Sequence, residues 1–419
     1  MTAPDLEDLE ITDLGAQGDG LAIMQGGVRI HVPLTLPGER VLAQVEGDRG
    51  QLVEVLRPSP DRQTPASPHY GECGGCSLQH WASGPYLQWK TDRVRHLLAR
   101  EGIETEVRPA IPCRPGSRRR LGLHARRGQN GRVLLGFKAR RSWRLVEVER
   151  CPVALRQIEA AFPALREVAA PFLEHPKSAP TLHVTWTETG LDVEVTGVER
   201  KSGGLSRDGR VRAAAAAAAA DLARLTLGGE ALYQAREPVV RFGQALVAPP
   251  PGAFLQAVEA AETAMAELAV QALKGCGRTA DLFCGMGAFA FRLAETGQVL
   301  AADSWAPGIA ALERGAAHAS GLKPIRAMTR DLFREPLSAF ELKGVDGALF
   351  DPPRAGGLAQ AMELGKSDIP TVVGISCNPS TFARDARALI EAGFRLDEVT
   401  PVDQFLWSAH VEVVGVFRR

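Results

Sequence analysis

The ten residues 279–288, TADLFCGMGA, decide the fold of this 419-residue chain. Residues 279–283 have the apolar character of a buried strand, and the glycine-containing turn 284–287 leads from it into a helical pattern. Such a strand–turn–helix unit lets the backbone approach a ligand closely. Asp303 follows Asp281 by 22 residues, at the end of the next predicted strand, where a carboxylate can accept hydrogen bonds from a ribose diol. The pattern predicts a doubly wound α/β fold that binds its ligand beyond the carboxyl ends of its strands.

The glycine pattern also discriminates between ligands. A dinucleotide-binding loop carries a third glycine, and this chain has Ala290 at that position. S-adenosylmethionine has no pyrophosphate that needs this glycine. The sequence therefore favours a methyl-donor site over an NAD site.

Three more predicted strands border residues that can do chemistry. Asp351 follows strand 347–350 and precedes two prolines, which would hold its carboxylate rigidly at the ligand edge. Cys377 follows strand 371–376, and the helix predicted after it would lower the pKa of the thiol and favour a nucleophilic thiolate. Glu412 begins the last strand and is a candidate general base. Taken singly, these residues have ordinary structural interpretations as a rigid turn, a buried cysteine and an exposed glutamate.

Charge is distributed unevenly along a chain whose formal net charge is zero. Residues 1–60 hold ten acidic and four basic side chains, in short strand-like runs separated by glycines that predict a small β-barrel. Residues 108–150 hold 13 basic and 2 acidic side chains among apolar strand residues. This imbalance predicts a sheet with a cationic face that binds a polyanion. Because no apolar run approaches membrane-spanning length and the N-terminus is acidic, we expect no membrane contact and a cytoplasmic location.

Together the motifs resemble the RNA 5-methyluridine methyltransferase family. The segments that carry the resemblance are, in the family's order, PGAFLQ (251–256), DLFCGMG (281–287), FDPPRAGG (350–357), SCNPST (376–381) and HVE (410–412). Residues 1–58, with the glycine-flanked Asp19, resemble the OB-like TRAM domain that precedes many members. The resemblance implies a multidomain chain with a small β-barrel over 1–58 and a central α+β domain with a cysteine cluster over 59–248. A Rossmann-like class I methyltransferase domain would follow over 249–419.

The resemblance also implies roles for individual residues. Cys377 would be the nucleophile that adds to carbon 6 of uracil, and Glu412 the base that removes the carbon-5 proton. Ala288 stands where some members have asparagine, so no contact is assigned to it. The residues implied at the S-adenosylmethionine site are Gln256, Phe283, Asp303, Asp331 and Asp351.

Three cysteines resemble ligands of the family's 4Fe-4S cluster, namely Cys73 and Cys76 in the motif CGGC and the distant Cys151. The family's first ligand is also a cysteine, whereas this chain has Ser67 at that position. The alternatives are a fourth ligand from Ser67, water or Cys113, a zinc site that also uses His69 or His80, and no metal at all.

The TRAM-like region and the cysteines together resemble the ribosomal-RNA branch of the family more than the transfer-RNA branch. We therefore expect a monomer that methylates carbon 5 of a uridine in 23S ribosomal RNA. The alternatives are a transfer-RNA uridine methyltransferase and a non-catalytic RNA-binding protein with a degenerate methyltransferase domain. The chain has neither the C-x₃-C-x₂-C motif of radical methylthiotransferases nor the paired cysteine motifs of RNA cytosine-C5 methyltransferases.

Overall fold

The computed structural model describes residues 5–199 and 204–419. The N-terminal part forms a six-stranded sheet in the order β1-β5-β6-β4-β3-β2. Its strands are β1 Asp5–Glu10, β2 Asp13–Leu14, β3 Gly20–Ile23, β4 Arg29–Val32, β5 Arg40–Glu46 and β6 Arg49–Arg57. Alternate apolar residues such as Ile30, Val32 and Val41 fill its core, as period-two patterning requires. Closure of this sheet into a barrel stays a prediction.

A seven-stranded sheet, β10-β9-β8-β11-β12-β13-β14, forms the central part, and its helices cover one face. The elements that follow β6 are α1 Ser83–Arg100, β7 Glu106–Val107, β8 Arg120–Arg127, β9 Val133–Lys138, β10 Leu145–Glu147, α2 Arg156–Ala160, α3 Phe162–Ala169, the 3-10 helix Ala170–Leu173, β11 Thr181–Thr187, β12 Gly190–Thr196, α4 Arg207–Ala219, β13 Arg224–Leu227 and β14 Glu230–Gln234. The run of alanines within α4 is helical, in line with the propensity of alanine.

An eight-stranded sheet, β19-β18-β17-β20-β21-β23-β22-β7, forms the C-terminal part. Its remaining elements, with the hairpin β15-β16, are β15 Val240–Phe242, β16 Ala245–Val247, α5 Glu259–Ala272, β17 Arg278–Leu282, α6 Ala290–Leu293, β18 Gln298–Asp303, α7 Ala306–His318, β19 Ile325–Thr329, β20 Gly347–Phe350, α8 Leu358–Lys366, β21 Thr371–Ser376, α9 Pro379–Glu391, β22 Arg395–Val402 and β23 Glu412–Arg418. The strands from β19 to β21 are parallel and β23 is antiparallel to β21. The strand order reverses between β17 and β20, which is the place where open α/β sheets bind ligands.

Two segments within the predicted central domain, 59–248, pack with the C-terminal part. Strand β7 pairs in parallel with β22, with Val107 opposite Val399, and α1 packs against α9. The hairpin β15-β16 places Phe242 in the same core as α5. The predicted boundaries differ from this packing because a two-residue edge strand carries too little periodicity to be recognised.

One local prediction at the glycine-rich turn also needs correction. Helix α5 begins at Glu259, and residues 253–256 before it run as a loop beside the cavity described below. The helix predicted directly after the turn is only the short α6, which begins at Ala290.

The N-terminal sheet contacts the central sheet through the buried carboxylate of Asp19. Arg141 Nη2 lies 2.9 Å from Asp19 Oδ2, Arg140 binds the other oxygen, and Arg49 approaches to 3.6 Å. Gly20 is required here, since a Cβ at this residue would lie 2.0 Å from Thr35 Oγ1. Part of the predicted cationic face is therefore neutralised by the protein itself.

A buried ion pair fixes helix α1 against the segment that precedes β23. Lys90 Nζ binds the carboxylate of Asp403 and donates to the carbonyl oxygen of His410 at 2.6 Å. Tyr86 Oη donates to Asp403 at 2.9 Å. This network anchors the chain two residues before Glu412.

None of the helices in the described ranges combines the length and apolar character needed to cross a membrane.

Candidate active site

The glycine-rich turn ends β17 in a strained conformation. Phe283 has φ of 66°, a value that non-glycine residues rarely adopt, and such strain is concentrated at functional sites. Gly287 has φ of 91°, and a Cβ there would lie 2.9 Å from Leu312. The turn therefore places the Phe283 ring and the backbone of the glycines at the edge where the strand order reverses between β17 and β20.

A cavity at this turn gathers three of the five predicted donor-site residues, Gln256, Phe283 and Asp351. Asp351 lies just beyond β20, and Gln256 comes from the loop before α5. Gln256 Nε2 donates to Asp351 Oδ2 at 3.3 Å. The aromatic residues Phe254, Phe289 and Trp305 also line the cavity and were not predicted. Trp305 and Phe254 both had a usable signal, since Trp305 lies two residues after Asp303 and Phe254 lies within the segment PGAFLQ, two residues before Gln256.

The other two predicted donor-site residues lie beside the cavity. Asp303 accepts a hydrogen bond from Gly285 N at 3.0 Å and from Trp305 N at 2.7 Å, so its carboxylate holds the turn. Asp331 accepts from Phe333 N at 3.0 Å, and the Phe333 ring lies 5.4 Å from that of Phe283. Asp331 therefore orients an aromatic neighbour of the donor cavity.

Antiparallel pairing brings the predicted nucleophile and base together. Ser376 of β21 pairs with Val413 of β23, so Cys377 and Glu412 are the next two residues in register and face each other. The charges of Glu412 and Asp351 both act on the Cys377 thiol. The thiol is only partly buried, so a substrate can reach it. Three groups capable of nucleophilic and acid–base chemistry thus meet beside the donor cavity.

The expected depression of the Cys377 pKa is wrong. Burial, with the nearby carboxylates of Glu412 and Asp351, raises the pKa of the thiol to about 11. Helix α9 does begin two residues later, and its N-cap Asn378 accepts from Ser380 N. Burial and the two carboxylates affect the pKa of the thiol more than this helix N-terminus does. The positive charge of Arg354 acts in the opposite direction and lowers the pKa.

Gln404 connects the base to the donor site and was not predicted from sequence. Its side-chain amide donates to Glu412 Oε1 at 3.0 Å and to Gln256 Oε1 at 2.8 Å. Because Gln256 in turn donates to Asp351, a continuous hydrogen-bonded chain links Glu412 to the donor cavity. No short motif marks such a residue, since only the fold brings positions 256, 404 and 412 together.

The buried Glu412 makes the stability of the protein depend on pH. Burial and the charge of Asp351 raise the pKa of Glu412 from 4.5 to about 8, so the folded protein holds a proton that the unfolded chain releases. The contribution of the protonated Glu412 to folding stability is fully present below pH 4.5 and is lost as the pH rises to about 8. We expect Glu412→Gln to raise the melting temperature relative to wild type at alkaline pH, and much less near pH 5. Thermal unfolding of both proteins across this range is the measurement, and parallel pH profiles would contradict the prediction.

The cysteines predicted to bind metal line a separate cavity of about 350 Å³, together with Ser67. Burial raises the pKa of Cys76 to about 11 and that of Cys151 to about 12, and the neighbouring Cys73 thiol adds to both effects. Within the described residues, no three His, Cys, Asp or Glu side chains are close enough to hold a metal ion as they stand. The predicted ligand group is therefore not preformed. Cys113, a possible fourth ligand, packs instead in the C-terminal core near Lys90.

Comparison with known proteins agrees with this architecture. Residues 245–419 match the family model described as tRNA (Uracil-5-)-methyltransferase. The chain is similar to a Caulobacter vibrioides protein named an uncharacterized RNA methyltransferase, with 58% identity over 99% of this chain and 100% of the relative. It is 32% identical to the 23S rRNA (uracil(1939)-C(5))-methyltransferase RlmD of Halomonas elongata, over 97% of this chain and 88% of the relative.

A solved structure shares the fold of nearly the whole chain. The Pyrococcus abyssi tRNA (uracil-54, C5)-methyltransferase, in complex with S-adenosyl-L-homocysteine, matches with a TM-score of 0.73 and 24% identity over 98% of this chain and 99% of that one. The fold thus agrees with the sequence relationships, which extend over all three parts of the chain. The chain belongs to the RNA uracil-C5 methyltransferase family and is an RNA methyltransferase.

Proposed function

We propose that this protein transfers a methyl group from S-adenosylmethionine to carbon 5 of a uridine in 23S ribosomal RNA. The observation that carries the proposal is the facing pair Cys377 and Glu412, held beside the cavity of Gln256, Phe283 and Asp351. The intact pair also argues against a degenerate, non-catalytic domain. The choice of ribosomal over transfer RNA is supported by the 32% identity to the Halomonas enzyme, which covers 97% of this chain.

The chemistry of uracil explains why a thiol and a carboxylate are both needed. Carbon 5 is a poor nucleophile, and addition of the Cys377 thiolate to carbon 6 turns the ring into an enolate that is reactive at carbon 5. Bound S-adenosylmethionine supplies the electrophilic methyl group. Glu412 then removes the carbon-5 proton, and elimination breaks the bond between sulfur and carbon 6 and frees the thiol. A uridine within folded RNA must leave its stack to reach Cys377.

Tritium release tests the proposed function directly. Replacement of the carbon-5 hydrogen by methyl liberates tritium from carbon-5-labelled uridine. We expect release from transcripts of 23S ribosomal RNA and none from transfer RNA. Release from transfer RNA alone would assign the alternative substrate, and release from neither would reject the enzymatic function.

We propose in addition that the cysteine cavity holds a 4Fe-4S cluster through Cys73, Cys76 and Cys151, with Ser67 at the fourth iron. Three thiols in one cavity match the donor chemistry of such clusters, and the charge of the Arg118 guanidinium favours the ionised forms of Cys76 and Cys151. The cluster would tie the CGGC loop to the chain at Cys151 and takes no part in the methylation steps above.

Iron and sulfide analysis of anaerobically purified protein tests this site. We expect both elements in wild type and their loss in Cys76→Ser. The variant Ser67→Cys should keep its iron longer in air, because a fourth thiolate replaces a weaker oxygen ligand. The control is Cys276→Ser, which changes a cysteine hydrogen-bonded to Asp346 in the C-terminal part. Wild-type protein free of iron would overturn the proposal.

A further inference from the structure

The face of the central sheet opposite its helices is lined by basic residues. Leu121, Leu123 and Ala125 of β8 point into the core, so alternate residues of that strand, including Arg120, His124 and Arg126, lie on the other face. The β8–β11 register places Thr185 opposite Arg120 and Thr181 opposite His124. The face between these positions extends for about 13 Å along the strand.

These basic residues form a row of neighbours that begins at the donor cavity. The Arg120 guanidinium lies 5.4 Å from the ring centroid of Phe254, which lines that cavity and is 70% exposed. Burial and the charge of Arg120 lower the pKa of His183. Burial, Lys138 and His183 lower the pKa of His124. The acidic group beside His183 is Glu194, which is already hydrogen-bonded to Thr226 and Gly229.

The row ends at the solvent-exposed indole ring of Trp143. Trp143 is 84% exposed, and Lys138 Nζ lies 3.9 Å from its ring centroid. A groove of about 730 Å³ beside it is also lined by Arg126, Arg127 and Lys177. Among the described residues, no carboxylate forms an ion pair with Arg126, Lys138 or Lys177. The acidic residue of the groove, Glu174, is engaged by Arg212.

We propose that the Trp143 groove binds an unstacked nucleotide of the RNA substrate, with its base on the indole and its flanking phosphates at Arg126, Arg127 and Lys177. An exposed aromatic ring surrounded by unneutralised cations has the chemistry that recognises single-stranded RNA. The row of basic residues would then carry the intervening strand from the groove to the uridine at Cys377. The proposal rests on the proposed function only in taking RNA as the polyanion.

Binding of a fluorescent single-stranded RNA to the full-length protein tests the groove. Trp143→Ala should weaken binding about 5- to 100-fold, because stacking of one base is lost, whereas Trp143→Phe should retain most of the affinity. The matched control is Phe340→Ala, which removes another aromatic ring that is 85% exposed. Removal of Arg126 and Lys177 should each lower the slope of log affinity against log salt by about 0.7.

Two results would overturn the proposal. One is Trp143→Ala binding single-stranded RNA as tightly as Phe340→Ala does. The other is an equal loss of affinity for fully double-stranded RNA, whose bases are not available for stacking. Because binding is measured without methyl donor, and can be repeated with Cys377→Ala, failure of the groove is distinguishable from failure of the proposed methylation.

Discussion

Replacement of Cys377 by alanine is expected to lower methylation by about four orders of magnitude or more. The proposed reaction passes through a bond between this sulfur and carbon 6, and without it carbon 5 has no enolate to make it nucleophilic. Neither Glu412 nor Asp351 can replace the thiol, because burial raises the pKa of these groups to about 8 and about 7 and a carboxylate is a much weaker nucleophile than a thiolate. Serine should be nearly as inactive as alanine, since its hydroxyl is a much weaker nucleophile.

The measurement is methyl incorporation into 23S ribosomal RNA transcripts, alongside tritium release. Cys276→Ala is the matched control, because that thiol lies at the opposite end of β17 from the glycine-rich turn and should leave the rate unchanged. Folding of each variant is checked by thermal unfolding. Methylation by Cys377→Ala within tenfold of wild type would exclude the covalent mechanism.

Glu412→Gln is expected to trap the enzyme on its RNA. Thiol addition and methyl transfer precede the step in which Glu412 acts, so the variant should complete both and then stall. An amide has no basic oxygen with which to remove the carbon-5 proton, and turnover should fall by about 10² to 10⁴-fold. Gln404, which donates to Glu412 in wild type, offers the replacement amide a similar hydrogen bond, so the pocket should keep its shape.

Denaturing electrophoresis with labelled RNA measures the trapped adduct. We expect a protein–RNA band that approaches one RNA per protein in Glu412→Gln, and only a faint band in wild type. The double variant Cys377→Ala/Glu412→Gln should show no band, which identifies the bonded sulfur. Normal turnover by Glu412→Gln without adduct would assign proton removal to another group, and Asp351 would be the nearest candidate.

The resting electrostatics keep the Cys377 thiol protonated. Burial raises the pKa of Asp351 to about 7, and burial with the charges of Glu412 and Asp351 raises the pKa of the Cys377 thiol to about 11. A thiol in this state reacts slowly with solvent oxidants, because the thiolate is the reactive form.

Much of the donor edge could be predicted from sequence for a simple physical reason. The carboxyl ends of parallel strands meet at one edge of a sheet, so recognising the strands that precede Phe283, Asp351 and Cys377 was enough to group these residues. The residues that escaped prediction, Gln404 and Phe254, lie in loops whose positions depend on contacts between distant segments. Helix α1 and β7 escaped for the same reason, since their partners are more than 280 residues away.

The sequence by itself determined the doubly wound fold, the glycine-rich turn and the kinds of chemical group available, because periodicity, turn residues and motif spacing are local properties. Tertiary structure alone decided that Glu412 faces Cys377, since this depends on the antiparallel register between β21 and β23. It also reversed the expected pKa of the thiol, because burial beside two carboxylates outweighs a helix end. The same distinction applies to the cationic segment 108–150. Its charge can be counted from the sequence, but packing pairs Arg140 and Arg141 with Asp19 and leaves Arg126 beside an exposed indole.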